Sequence, residues 1–191
     1  MAQSTKHLLA KSLKDLMGEK TLDKITVKEI VARCGVNRQT FYYHFRDIYD
    51  LLDWFFIEAG NEFFRQNPDY QSQLNLEHAI RKVCVYLTEN RMMAINIYNS
   101  LGRDIFGRYL ALELGKLLQV SMAKQAVIIG APNASVKALI SFYKHGIVGI
   151  MLDWVDRGLE GDIDEIVTLY LPIIEGVVEL SLRQMTKEGV E

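Results

Sequence analysis

The stretch that decides the fold is residues 30–45, IVARCGVNRQTFYYHF. A short apolar segment ends at a glycine, and a polar segment rich in aromatic residues follows it. Gly35 supplies the backbone freedom that a tight turn needs. Asn37 is a favourable N-cap for a helix over residues 38–44. Two short helices joined by such a turn indicate a helix-turn-helix.

The residues before this stretch predict two further helices. Apolar residues recur at helical spacing over residues 4–17, and Gly18 is the expected stop. The apolar face of this first helix comprises Leu8, Leu9, Leu13 and Leu16. A second helix begins at TVKE, residues 26–29, where Thr26 and Glu29 can form a capping box. Val36 can point into the predicted core, which consists of Leu13, Leu16, Ile25, Ile30 and Phe45.

The third helix is short, so it buries little and must serve to present side chains. Its first turn carries Arg38, Gln39 and Thr40, where base contacts usually originate in a helix that enters the major groove. Arginine can pair with guanine and glutamine with adenine. The predicted DNA-contacting residues are Thr26, Val27, Arg38, Gln39, Thr40, Tyr42, Tyr43, His44 and Arg46. The alternative is simple packing, which we favour for Phe41 and Phe45.

The remaining chain also follows helical periodicity, and no segment alternates long enough to predict a strand. Asp47 caps a fourth helix, and the Asn67–Pro68 break follows it. Further helices are predicted near residues 73–89, 91–100, 102–129, 134–158 and 163–187, with Pro172 disturbing the last. The expected class is therefore all-α. The helix-turn-helix domain is assigned to residues 1–47, and residues 48–191 form a larger second domain.

The charge distribution favours an anionic partner at the N-terminal end. Net charge is −2, but residues 1–50 hold nine basic and six acidic residues, whereas the rest hold thirteen and eighteen. The two parts therefore carry +3 and −5, an asymmetry expected of a chain that meets nucleic acid at one end. A chance fluctuation over fifty residues is the alternative.

Other classes of protein receive little support. His7, His44, His78 and His145 lack metal-ligand spacing, and no phosphate loop, nucleophile elbow or paired-carboxylate motif occurs. We therefore expect no enzyme, no metal and no cofactor. Two distant cysteines, no signal peptide and no apolar run of about 20 residues predict a cytoplasmic protein without a membrane partner. A pure protein-interaction module remains the main rival.

The last helix carries an apolar heptad stripe, which supports the homodimer interface that the family resemblance described below implies. Glycines on the preceding helix would allow close packing. The expected interface residues are Gly146, Gly149, Ile166, Tyr170, Ile173 and Val177. Burial of the stripe within the same chain is the alternative.

An effector is expected to bind in the larger domain. Aromatic and ionisable residues there recur on helix faces expected to turn inward. The candidate ligand-binding residues are Trp54, Tyr86, Tyr98, Arg103, Phe142 and His145. For each residue taken singly, ordinary core packing is the favoured alternative, and His145 is better explained as an interface residue.

Residues 26–52, TVKEIVARCGVNRQTFYYHFRDIYDLL, resemble the TetR family of bacterial transcriptional regulators. The match comprises the threonine-led second helix, the Gly-Val turn, and the order threonine, hydrophobic residue, tyrosine, variable residue, histidine and phenylalanine over residues 40–45. The resemblance implies a nine-helix homodimer with a four-helix interface, an internal pocket and a palindromic DNA operator. It suggests a repressor that an effector releases.

Two positions depart from the family pattern. Ile48 stands where a lysine commonly meets a phosphate, so that contact passes to Arg46 or is lost. Val31 replaces a smaller residue. Residues 38–56 and 142–158 resemble a subgroup that includes regulators of dihydroxyacetone kinase operons. Some of that subgroup respond to a protein co-regulator, which is the alternative to a small-molecule effector.

Overall fold

Helices make up most of residues 2–66 and 76–188, the part of the chain that the computed structural model describes. In chain order they are α1 (Ala2–Glu19), a 3-10 turn (Leu22–Lys24), α2 (Val27–Cys34), α3 (Arg38–His44), α4 (Ile48–Gln66), α5 (Leu76–Glu89), α6 (Arg91–Ile129), α7 (Asn133–Asp156) and α8 (Ile163–Glu188). These ranges contain no strand, and α6 is broken at Gly102, which gives nine α-helical segments within them. The all-α prediction is confirmed. The Asn67–Pro68 break and residues 73–75 lie outside the described residues.

Helix α1 is longer than its sequence predicts. It runs through Gly18, and the N–H of Lys20 still donates to the Leu16 carbonyl at 3.0 Å. The predicted stop is wrong because a glycine can continue a helix at a cost of about 1 kcal/mol. Leu9 and Leu13 are fully buried as expected, but Leu8 is 45% exposed and lies off the buried face.

Two compact units divide the chain. The first contains the described residues up to Gln66 together with Asn90–Phe106, and the second contains residues 76–89 and those from Gly107 onward. These units differ from the predicted boundary between residues 47 and 48, since α4 belongs to the same unit as α1. That boundary concerns function and stays a prediction.

The core of the first unit fixes α2 and α3 against α1. Ile30 and Phe41 are fully buried, and Phe45 is 4% exposed. The Ser12 hydroxyl donates to the Ile30 carbonyl at 2.8 Å, so a buried polar group of α1 is satisfied by α2. The core predicted from the sequence is confirmed, while Val36 is only half-buried.

The first segment of α6 is hydrogen-bonded to the last turns of α1 and to the 3-10 turn that follows it. Asn96, 8% exposed, donates to the Met17 carbonyl at 2.8 Å. The Ser100 hydroxyl accepts the Leu22 N–H at 2.8 Å. Gly102 then adopts φ 75° and ψ 168°, which confirms the predicted break near residue 101. Only glycine adopts this conformation readily.

The second unit has α7 as its core helix. Tyr143, Ile147, Met151 and Trp154 are buried, and the Trp154 indole donates to the Glu160 carbonyl at 2.9 Å. By length and composition alone, α7 is the one described helix that could cross a membrane, yet these side chains are covered as in a core helix. Helix α8 continues through Pro172, which faces solvent and lacks the N–H of one helical bond.

Helices α6 and α7 approach closely at a glycine. A Cβ at Gly107 would lie 3.0 Å from Leu152 Cδ1 and 3.7 Å from Val148 Cγ1, whereas one at Gly18 would meet nothing within 4 Å. Both glycines lie within helices. The absence of a side chain therefore avoids crowding at Gly107, whereas no neighbouring atom would crowd a side chain at Gly18.

We expect the same substitution to have opposite effects at these two sites. Gly18→Ala should raise the free energy of unfolding by about 0.5–1 kcal/mol, because alanine favours the helix. Gly107→Ala should lower it, because overpacking typically costs about 1–3 kcal/mol and exceeds that gain. Urea denaturation followed by circular dichroism measures both. An equal increase in the two variants would show that the α6–α7 contact tolerates a methyl group.

Candidate nucleic-acid interface

Helix α2 begins at the predicted capping box. The Thr26 hydroxyl accepts the Glu29 N–H at 3.4 Å, and the Glu29 carboxylate accepts the Thr26 N–H at 3.0 Å. Lys20 adds an ion pair with Glu29 at 2.6 Å. The Lys20 contact first, and then the Thr26 hydroxyl and N–H, lower the pKa of Glu29 from 4.5 to about 2. The start of α2 is therefore held by a permanently ionised carboxylate at neutral pH.

The turn between α2 and α3 is fixed at both ends. Gly35 ends α2 in the left-handed region, at φ 72°, and its N–H donates to the Val31 carbonyl. The Asn37 side chain then caps α3 by accepting the Thr40 N–H at 2.8 Å and the Thr40 hydroxyl at 3.0 Å. The Thr40 hydroxyl is thus committed to the cap in the free protein.

Helix α3 presents a polar and aromatic face to solvent. Arg38 and Gln39 are exposed, as are Tyr42 (59%) and Tyr43 (82%). These four positions are neighbours on one side of the helix because residues three and four apart adjoin. Phe41, in contrast, is fully buried. As expected, one face of α3 packs against the core while the other face is exposed to solvent.

The other predicted DNA-contacting residues lie at the ends of α2 and α3. Thr26 is exposed and Val27 is half-buried at the start of α2. His44 is half-buried, with its ring edge-on to Tyr43 at a centroid distance of 4.9 Å. Thr26 and Thr40 already hold caps, so their contribution to DNA contact is limited to the remaining hydrogen-bonding capacity.

Several basic side chains in this unit are used internally. Arg33 forms a two-pronged ion pair with Glu19, at 2.7 and 3.0 Å, which lowers the pKa of that carboxyl group. Lys20 is paired with Glu29. Among the described residues, Arg38 forms no ion pair and keeps its guanidinium available.

Arg46 stands at the corner between α3 and α4. Its side chain is 86% exposed, and its Nε lies 3.6 Å from the Asp50 carboxylate. The same carboxylate accepts the Arg46 N–H at 2.9 Å, while Asp47 caps α4 by accepting the Asp50 N–H at 2.8 Å. Ile48 begins α4 between these acidic residues. Arg46 can therefore reach a phosphate only in competition with Asp50.

The six candidate ligand-binding residues are divided between the two units. In the first unit, Trp54 stacks edge-on against His7 at 5.1 Å and Phe45 at 6.0 Å, and Tyr98 stacks against Phe106 at 6.0 Å. Arg103 is exposed beside the Gly102 break. The role of these residues in effector binding stays a prediction, and ring stacking within the first unit accounts for Trp54 and Tyr98.

The other three candidates lie in the second unit and are exposed. Tyr86 on α5 is 37% exposed, and Phe142 on α7 is 74% exposed. The His145 ring binds the Ser141 carbonyl through Nδ1 at 2.7 Å. An outward-facing Phe142 suits an interface between chains better than a pocket wall.

A small apolar crevice between α5, α7 and α8 was not foreseen from the sequence. It encloses about 30 Å³, against the roughly 300–1,000 Å³ of ligand pockets. Its lining includes Ile80, Cys84, Met151, Trp154, Ile166 and Tyr170. Ile166 and Tyr170 of the predicted dimer stripe thus pack within their own chain, and Val177's side chain lies outside the described part.

Neither cysteine is a candidate reactive group. Burial raises the pKa of Cys84 to about 11 and also raises the pKa of Cys34, whose Sγ donates to the Ile30 carbonyl at 3.3 Å. Among the residues described, no group of three or more metal-ligating side chains occurs.

A short helix with exposed arginine and glutamine, held by a capped turn over a buried phenylalanine, defines a helix-turn-helix DNA-binding protein. Comparisons with known proteins agree. The profile described as bacterial regulatory proteins of the tetR family matches residues 11–53, and one described as a transcriptional regulator C-terminal region matches residues 74–176. The chain belongs to the TetR family and is a DNA-binding transcriptional regulator, not an enzyme.

Two relatives extend this result. The chain is 32% identical over 94 residues to the HTH-type dhaKLM operon transcriptional activator DhaS of Lactococcus lactis subsp. lactis (strain IL1403), an alignment spanning about half of each chain, 49%. A solved structure of the dihydroxyacetone kinase operon activator DhaS is similar in fold, with a TM-score of 0.73 over 92% of this chain and 97% of that one, at 20% identity. The resemblance to this subgroup is confirmed.

The acid sensitivity of the first unit should depend on Glu29. Because its folded pKa lies below 4.5, its contribution to stability is complete above pH 4.5 and is lost as the pH falls towards about 2. Glu29→Gln should therefore be less stable at neutral pH and should lose less on acidification than the parent. Urea unfolding at several pH values measures this. Lys20→Gln, which removes the largest cause, should shift the acid limb in the same direction; unchanged acid limbs in both variants would contradict the assignment.

Proposed function

We propose that the protein binds a palindromic operator as a homodimer, with α3 of each subunit in the major groove. The observation that carries this proposal is the exposure of Arg38 and Gln39 on the first turn of a helix whose opposite face is anchored by Phe41. Two-fold symmetric dimers bind half-sites about one helical turn of DNA apart. The palindrome would mirror the symmetry of the protein.

The chemistry of α3 suggests how the operator is read. Arg38 can donate two hydrogen bonds to a guanine edge, and Gln39 can pair with adenine. Tyr42 and Tyr43 can donate to phosphates or contact sugars and thymine methyl groups. The positive end of the α2 dipole near Thr26 favours a phosphate, which would compete there with the Glu29 carboxylate that accepts the Thr26 N–H.

An exposed apolar face on α7 and α8 supports the homodimer. Phe142, Leu169, Ile173 and Leu180 are 60–74% exposed, an unusual density of large apolar side chains for a surface meeting water. Gly146 and Gly149 have open space around them, which would admit helices of a second copy. This face, rather than Ile166 and Tyr170, best supports the proposed four-helix interface.

The second unit is proposed to carry the response to an effector. A ligand that binds one of two conformations of the dimer changes operator affinity by its differential affinity for them. Both a small molecule and a protein co-regulator remain candidates. The exposed Val127 and Ile128 at the end of α6, 82% and 81% exposed, leave room for a protein partner.

The direction of regulation follows from operator position rather than from the fold. The sequence suggests a repressor, whereas both relatives are named as operon activators. A dimer bound to an operator that overlaps the promoter blocks transcription. The same dimer bound upstream of the promoter can recruit polymerase. A dihydroxyacetone kinase operon is the first promoter to test, and a cytoplasmic location is part of this proposal.

Selection of bound duplexes from a random pool tests operator recognition directly. We expect a palindromic consensus, and affinity that falls steeply with salt as counterions are released. Arg38→Ala should cost about 1–3 kcal/mol and relax the preference at one base pair in each half-site. Arg46→Ala should weaken all sequences alike. Parent-like binding by both variants would refute this docking, and no binding to any duplex would favour a protein-interaction module.

Oligomeric state tests the proposed interface. Phe142→Glu should dissociate the homodimer and reduce operator binding by more than tenfold, because it places a carboxylate in the apolar face of both subunits. Val127→Glu adds the same charge to a residue of similar exposure outside that face and should leave the dimer intact. Sedimentation equilibrium separates the outcomes; a dimeric Phe142→Glu variant would exclude this face.

A further inference from the structure

A lysine of α1 occupies the corner between α3 and α4. The Lys6 ammonium lies 5.4 Å from the centroid of the Phe45 ring and 6.0 Å from that of Trp54. Phe45 caps the C-terminal end of α3 and directly precedes Arg46. Although Lys6 is distant in sequence, it thus lies near the start of α4, the helix that follows α3.

The acidic residue that forms an ion pair at this corner, Asp50, pairs with Arg46 and not with Lys6. Asp47 and Asp50 line the start of α4, and Asp50 is shared with Arg46 at 3.6 Å. Ile48 contributes no charge. Within residues 2–66 and 76–188, Lys6 forms no ion pair, so its charge is balanced only by the faces of two aromatic rings.

The aromatic contacts also restrict the position of the ammonium group. A cation over a ring face is weakly held but keeps its outer hydrogens free to donate. A lysine chain that is already ordered loses less side-chain entropy when it meets a phosphate. Rings on one side and solvent on the other would leave the ammonium pointing outwards.

We propose that Lys6 contacts the DNA backbone and supplies, from α1, the positive charge that the start of α4 lacks. This inference rests on the proposed docking of α3 in the major groove. Lys6 neutralises one phosphate per subunit beside Arg46 and adds affinity without base preference, because phosphate contacts carry no sequence information.

Lys6→Met tests this role, because methionine keeps the straight side chain and its contact with the rings while removing the charge. For the selected operator and for an unrelated duplex alike, affinity should fall about fivefold per subunit at 0.15 M salt. The slope of log affinity against log salt should become less negative by about 0.9 per subunit. Thermal stability should stay close to that of the parent.

Two further variants make the result specific. Lys11→Met removes an exposed charge five residues later on α1, about 140° around the helix, and should leave the slope unchanged. Lys6→Met combined with Ile48→Lys restores a cation at the corner from α4 and should recover the slope.

The outcomes separate this inference from the proposed function. Operator binding by the parent with an unchanged slope in Lys6→Met overturns the Lys6 contact and leaves the operator proposal intact. An equal change in the salt slope in Lys11→Met also overturns the Lys6 contact, because the change would then reflect net charge and not the position of Lys6. A parent that binds no duplex overturns both.

Discussion

The capped turn between α2 and α3 is the constraint on which the reading surface depends. Gly35 reverses the chain in a backbone conformation that residues with a Cβ rarely adopt, and Asn37 immediately restarts the helix. Because α3 has only seven residues, it could not persist alone in water. Burial of Phe41 and Phe45 holds it, and that burial leaves the polar side chains with a single orientation towards solvent.

Acidic residues around this surface do more than balance its charge. Glu19 and Glu29 are bound to Arg33 and Lys20, so these four charges stabilise the platform and are withdrawn from DNA. Asp47 and Asp50 close the corner at the start of α4. The basic character seen in the first fifty residues is therefore concentrated in the few cations that remain, of which Arg38 is directed by α3 itself. The same set of charged residues therefore contributes to the affinity for DNA and to the stability of the first unit, and salt weakens both contributions.

Local features of the fold could be predicted from the sequence, whereas features that depend on distant contacts could not. The capping box, the turn and the break at Gly102 each follow from a few adjacent residues with strong backbone preferences. Gly18 misled the prediction because helical glycine is disfavoured but tolerated. Leu8 has the spacing of a buried residue and yet is half-exposed, so spacing alone does not determine how wide the buried face of a helix is.

The apolar stripe of α8 shows the same limit on a larger scale. Periodicity identified the stripe, yet Ile166 and Tyr170 pack against α5 and α7 while Leu169 and Ile173 face outward. A helix that is apolar on two sides gives no signal of which side its own chain covers. The hydrogen bonds of Asn96 and Ser100, which span 79 and 78 residues, likewise have no local signature.

The state of the two thiols has a practical consequence. With a pKa of about 11, roughly one Cys84 side chain in ten thousand is a thiolate at pH 7, and the Cys34 thiol is also shifted away from ionisation. Maleimide labels will therefore attach slowly to the buried Cys84 thiol. A single new cysteine on the surface of α3 or α7 would take a fluorophore in preference to Cys84, so that either helix can be labelled without first removing that natural thiol.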